Sequence, residues 1–313
     1  MQLVEVFILA IHLILVGIGA CLPLAVVLLN RKMLRIDNSR HCDAIWQFSR
    51  GLMKVSIQAV TLGSIFGLLL AGVLWSEDFH NLCHLVLTKM KWAGVEWLFS
   101  MLVFGGIYFQ WAKSPGAHRA FRIRSVLIFL AAFNLLYHFP SLFLVITAIP
   151  ADVVDALTRS AIELSRDTYY EIMFSSTMIS RWLHATLAML ATSMVFVAVA
   201  SIRRANQEDE GPARDSAISI CRWAARNVLL ILFLQFAFGI WTVVAMDPSR
   251  MENLMGANMA ATGLFAISII LLFVQLQQWT GLISERVRRD HLVRAVATYL
   301  TMFMCMVAAS VLS

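Results

Sequence analysis

RWLHATLAMLATSMVFVAVA, residues 181–200, decides the class of this chain. The stretch is long and apolar enough to cross a bilayer, for which about 20 residues suffice. Yet its first four residues include Arg181 and His184. Ionisable groups are expensive in lipid and default to a functional role. Seven more apolar stretches surround it, at roughly 3–29, 46–75, 92–112, 121–148, 223–246, 257–282 and 292–312. The 313 residues are 60% hydrophobic and 14% charged, where a soluble domain carries about 25% charged. The expected fold is all-α, a polytopic membrane helix bundle of about eight transmembrane helices.

The loops orient that bundle. Connections one, three, five and seven, with the adjoining helix ends, carry Arg31, Lys32, Arg35 and Arg40; Lys113, Arg119, Arg122 and Arg124; Arg203, Arg204, Arg214, Arg222 and Arg226; and Arg286, Arg288, Arg289 and Arg294. The even connections carry only Lys89, Lys91, Arg159, Arg166 and Arg250. Cytoplasmic loops are enriched in Lys and Arg. The odd connections are therefore expected in the cytoplasm, with both termini on the outer, periplasmic side of a bacterial inner membrane. The net charge of +6 is spread over short loops and forms no continuous face. That pattern speaks for membrane lipid and against nucleic acid as a partner.

The first segment is too long for a signal-peptide core, and Glu5 stands where a basic region belongs, so it is expected to be a retained span. The longest connector covers residues 149–177. Its Val153, Val154, Leu157, Ala161, Ile162 and Leu164 predict an amphipathic surface helix near 152–166. Cys21, Cys42, Cys83, Cys221 and Cys305 are scattered, with no CxxC for a zinc ribbon and no CxxCH for covalent heme. The expected organisation is a single heme-binding bundle over 1–313, with spans 1–4 and 5–8 as its two groups. No soluble domain, glycine-rich nucleotide motif or defensible internal repeat emerges.

Three histidines on three spans fall in the outer half. His12 lies about nine residues into the first span, His184 near the start of the fifth, and His138 about ten residues before the outer end of the fourth. Neutral imidazole is a common axial ligand of heme iron. Gly17, Gly19, Ala185 and Ala188 leave room for a flat macrocycle, or equally for close helix packing without one. Arg181 shares the face of His184 and lies nearer the interface, where a guanidinium pairs with propionates or snorkels to headgroups. Met255 and Met259 start the seventh span at a similar depth; each is an opposing ligand or plain core. Glu96, one turn inside the third span, reads as a proton-relay group, a weak heme ligand or an interfacial acid. Arg50 and Lys54, four apart on the second span, snorkel, pair with an acid or line a proton path. His80 and His84 stand at i, i+4 in an outer loop, as a metal pair or as solvated residues.

The order of these features resembles the large subunit of cytochrome bd-type quinol oxidases, distantly and over most of the chain. IHLILVGIGACLPLAVVLLNRK resembles that family's first helix, which implies His12 as a heme ligand. KVSIQAVTLGSIFG is similar to its second helix, with Lys54, Gly63 and Gly67 at the family's lysine and glycine spacing, and FNLLYHFPSLFLVITAIP keeps Asn134 in a similar setting. RWLHATLAMLATSMVFVAVAS, preceded by YYEIMF, resembles the fifth helix. This implies His184 as a low-spin heme ligand, Arg181 as its basic companion and Met259 as the opposing ligand. The family's long loop between helices six and seven is replaced here by MDPSRMENLMGAN, Glu96 falls between the family's two third-helix glutamates, and His138 has no family counterpart.

The expected function is a membrane b-type cytochrome, bd-like, passing electrons through one or two hemes b, or another heme type, near the periplasmic face of a respiratory complex. Its expected partners are other subunits of that complex, a periplasmic cytochrome or quinone. One alternative is a truncated quinol or oxygen oxidoreductase with its second heme at His12 and a proton path through Lys54 and Glu96. From another class comes a metal-ion permease without heme, although the methionines are dispersed and the histidines sit singly on separate helices. A structural anchor without cofactor is the plainest option.

Overall fold

The computed structural model describes residues 2–33, 39–111, 118–160, 162–284 and 288–313. Arg35, Lys113, Ala161 and Arg286 lie outside the described residues, as do the side chains of Arg40, His41, His118 and Arg119. Hydrocarbon offers a backbone no hydrogen bonds, so an apolar chain satisfies its own amides in helices. Among the described residues, eight helices are long and apolar enough to span a membrane. They are α1 (Gln2–Met33), α2 (Ser39–Val73), α4 (Leu87–Trp111), α5 (His118–Ile146), α8 (Ser176–Ala205), α9 (Pro212–Val244), α11 (Met259–Ser284) and α12 (Arg289–Leu312). Short helices α3 (Glu77–Leu85), α6 (Ala151–Ser160), α7 (Arg166–Met173) and α10 (Pro248–Glu252) lie between them. The chain is a multi-pass membrane protein.

Polar residues set the helix ends. Ser76 caps α3 by accepting the Phe79 amide at 3.1 Å, so His80 and His84 stand on a helix and not in a loop. The amphipathic helix anticipated near 152–166 stops at Ser160. Beyond it the Leu164 amide donates to the Leu85 carbonyl at 2.8 Å with the Leu164 side chain buried, and α7 starts afresh behind the Ser165 cap. Asp247 caps α10; its carboxyl is held below the usual carboxylate range, first by the Ser249 hydroxyl at 2.6 Å and then by the Ser249 amide. A turn of π-helix follows, broken at Gly256, whose φ of 139° only glycine tolerates readily.

The two chain ends lie together, and the C-terminal one meets the α9–α11 turn. Val6 and Ala10 pack on Val307, while Arg250, Asn253 and Asn258 donate to the carbonyls of Ser310, Ser313 and Leu312. This is the terminus end of the bundle. The described residues of the odd connections, with most of the arginines, lie at the opposite, basic end.

The two groups of four spans are copies in register. Adding 172 to the bounds of α1, α2 and α4 gives 174–205, 211–245 and 259–283, and α8, α9 and α11 occupy Ser176–Ala205, Pro212–Val244 and Met259–Ser284. Packing follows the same rule: α1 on α2 is matched by α8 on α9, and α4 on α5 by α11 on α12. The parallel helices α1 and α8 cross where Gly17 meets Met189 and Cys21 meets Ser193, each pair being the same position in the two copies. Contacts between equivalent residues mark a pseudo-two-fold axis between these helices. The sequence shows no defensible repeat; the fold contains one that covers all eight spans.

Hydrogen bonds between spans add to the packing. The fully buried Tyr299 hydroxyl sits 2.8 Å from Thr192 Oγ1, and Thr192 also donates to the Ala188 carbonyl. Such bonds between membrane helices average about 0.6 kcal/mol. Tyr299→Phe is therefore expected to cost about that much in reversible unfolding in mixed micelles, since Thr192 keeps its second acceptor.

Candidate functional site

His12 and His184 occupy equivalent positions 172 residues apart (184 − 12), each five residues from the α1–α8 crossing (17 − 12 and 189 − 184). At a rise of about 1.5 Å per residue, both rings stand roughly 7.5 Å from the crossing toward the terminus end. Each ring lies on a glycine of the next helix. A Cβ on Gly67 would fall 2.8 Å from His12 Cε1, and one on Gly239 would fall 3.1 Å from His184 Cε1. Gly67 and Gly239 are again 172 apart (239 − 67).

One turn before each glycine a backbone carbonyl faces Nδ1. At His12 the bond closes: Nδ1 lies 2.8 Å from the Gly63 oxygen. A carbonyl only accepts, so Nδ1 carries the proton and Nε2 keeps its lone pair. At His184 the Gln235 backbone is within reach of the ring, but no hydrogen bond closes, and Nδ1 is a buried nitrogen without a partner. Arg181, one turn nearer the terminus end, has no ion pair among the described residues and faces the charge of Arg250. Arg250 itself donates to the Ser310 carbonyl at the terminus end.

The structure brings Glu96 and His138 together. Nδ1 of His138 on α5 stands 2.8 Å from Glu96 Oε2 on α4, both half-buried. Asn134 holds this corner by donating to the Glu96 carbonyl at 2.8 Å and to Ser100 Oγ at 3.1 Å. Trp97 donates to Ser64 Oγ on α2, one residue beyond the His12 acceptor, and Trp182 donates to the Leu136 carbonyl. The Tyr137 ring sits edge-on to both His138 and Trp182. His12, Glu96, His138 and His184 thus share one layer of the bundle.

Other candidate residues stand apart. Met259 is the first residue of α11, 80% exposed, on a helix that packs against α9 and α12. Lys54 is exposed on α2, ten residues before Ser64, about 15 Å along the axis from the Glu96 layer. Arg50 stacks over the Tyr108 ring at 5.0 Å. His80 and His84 form a T-shaped ring pair on α3, with Trp75 tilted against His80. Among the described residues, no group of three His, Cys, Asp or Glu converges as a metal site.

No family model matches this chain, and no curated protein resembles it significantly in sequence.

Gly239 and Gln235 escaped the sequence reading. The signal was present as a register: Phe66-Gly67 and Phe238-Gly239, His12 and His184, Arg31-Lys32 and Arg203-Arg204, and Arg50 and Lys54 with Arg222 and Arg226 all recur at 172.

Proposed function

We propose that this protein is a membrane b-type cytochrome of bd-like build, in which His184 and His12 each hold the iron of a heme b through Nε2. The observation that carries the reading is the repeated station: an imidazole on the first helix of each half, laid on a glycine, with a backbone carbonyl toward Nδ1. Metal-ligating histidines characteristically turn their other nitrogen to a carbonyl or carboxylate, which fixes the tautomer. These residues fit a heme on the imidazole side: the bond to Gly63 sets the tautomer that leaves Nε2 of His12 to bind, and no protein bond at Nδ1 fixes the His184 ring against a ligand. Bound heme supplies a one-electron redox centre.

The chain's own groups do the rest. Arg181, one turn from His184 and without an ion pair among the described residues, offers a guanidinium to a carboxylate there. Glu96 and His138 set a carboxylate and an imidazole 2.8 Å apart, an acid–base pair in the layer where charge would change. Lys54 is the candidate supply from the basic end. The resemblance offers Met259 as opposing ligand, but its exposed place on α11 contributes nothing to the imidazole stations. In this reading the chain works in a bacterial inner membrane with its termini outside. It passes electrons between quinone or a periplasmic cytochrome and other subunits of a respiratory complex.

The test is a reduced-minus-oxidised spectrum of the purified protein, followed by carbon monoxide to detect an open iron. Sharp b-type bands are expected, and a colourless preparation from heme-replete cells overturns the proposal. Gly239→Leu pushes a side chain against the His184 ring and is expected to lower heme content. Gly263→Leu, with open space around it, is expected to leave heme content unchanged.

A further inference from the structure

The repeat supplies its own control for charge at the basic end. In each copy, a cation from the last turn of the first helix reaches across to the second helix of the other copy. Lys32 Nζ donates to Ser219 Oγ at 3.1 Å, and Arg204 Nη2 donates to Gln47 Oε1 at 3.0 Å. Lys32 and Arg204 are equivalent, as are Ser219 and Gln47, each 172 apart (204 − 32 and 219 − 47). Two clefts of the same build result, but their charges are handled differently.

At the first cleft two of the three equivalent cations are engaged, while Lys54, the counterpart of Arg226, is exposed. Arg204 pairs with Glu208 at 3.4 Å, and Arg50 stacks on Tyr108. At the second cleft both partners are missing from the sequence: Ile36 stands where Glu208 would be, and Thr280 stands where Tyr108 would be. Lys32, Arg222 and Arg226 accordingly make no ion pair among the described residues, and Lys32 is close enough to Arg226 to feel its charge. They line a cavity of about 390 Å³ with Ser219, Trp223 and Asp215. One carboxylate against three cations leaves the wall net positive.

We propose that this cavity binds a phosphate group, carried by an anionic lipid headgroup or by a soluble phosphate compound. Three donors of positive charge with a hydroxyl beside them match the oxygens of a phosphate, and the Trp223 indole gives the site an amphipathic wall at the membrane surface. Basic pockets between membrane helices are a recognised place for anionic headgroups. The assignment is independent of heme.

The experiment uses the full-length protein in nanodiscs of phosphatidylcholine with increasing phosphatidylglycerol, read by native mass spectrometry. A parallel arm titrates inorganic phosphate and follows indole fluorescence, with Trp223→Phe identifying the signal. Arg222→Gln/Arg226→Gln is expected to weaken retention of the anionic lipid about tenfold or more. The charge-matched Arg214→Gln/Arg288→Gln, at exposed arginines paired with Glu210 and Asp290, is expected to retain it. Phosphate binding lost in the first variant, with lipid retention unaffected, supports the site with a soluble compound as its occupant. Equal retention of both probes by the wild type and a folded Arg222→Gln/Arg226→Gln variant, or binding of neither probe, overturns it.

Discussion

Purified His184→Ala protein is expected to fold normally and to carry about half the heme of the wild type, with its low-spin b-type band gone. Removing the ring breaks no hydrogen bond that the structure shows. Its Nδ1 makes no hydrogen bond, so alanine leaves no protein acceptor stranded, and Ala185 and Ala188 already make this stretch of α8 slender. No other histidine of the described chain lies on α8, so nothing on that helix substitutes for the lost nitrogen. His12→Ala is expected to remove the other half of the heme, with a modest loss of stability from the bond to Gly63. The double variant is expected to be colourless. Heme per chain, measured after alkaline pyridine extraction, decides the matter. A fully loaded, spectrally unchanged His184→Ala protein would remove that residue from the site.

A second large effect is expected far from any ligand. Gly19 lies where α1 presses on α2: a Cβ there would stand 2.5 Å from Val60 Cγ2 and 2.7 Å from the Val60 amide nitrogen. The second of these is backbone, which cannot rotate away. Ser56 also donates to the Gly19 carbonyl at 2.6 Å, so separating the helices breaks a buried bond as well. Gly19→Leu is expected to destabilise the protein by about 3 kcal/mol, the upper part of the range for overpacked cores. Folded yield and the unfolding midpoint in mixed micelles report it. Gly51→Leu, where nothing lies within 4 Å, is the matched substitution and is expected to be silent. The equivalent of Gly19 in the second copy is Ala191, opposite Leu232, so that contact already accommodates a Cβ.

The eight spans were legible because hydrophobicity over twenty residues is a strong and local signal. Their ends were less so. α4 begins at Leu87, earlier than hydropathy suggested, since Lys89 and Lys91 are charged yet helical. Lys89 reaches the Leu164 carbonyl and the Tyr169 ring. The common depth of His12, His138 and His184 followed from counting residues, because helical rise is fixed. The glycine beneath each ring and the Glu96–His138 contact did not, since each joins different helices and nothing local announces a neighbour. The repeat hid for another reason. Between α1 and α8 little beyond His12, Leu15, Val27 and Arg31 recurs in register, and interchangeable apolar residues fill the rest.

The pseudo-two-fold axis between α1 and α8 has an energetic corollary. Stations related by an axis along the membrane normal sit at one height, so an electron hopping from one to the other runs sideways and traverses none of the transmembrane voltage. Work against that voltage, about 2.3 kcal/mol for each charge carried across 100 mV, would fall entirely to ions moving through the thickness of the protein. If the proposed cytochrome energises its membrane, protons do so.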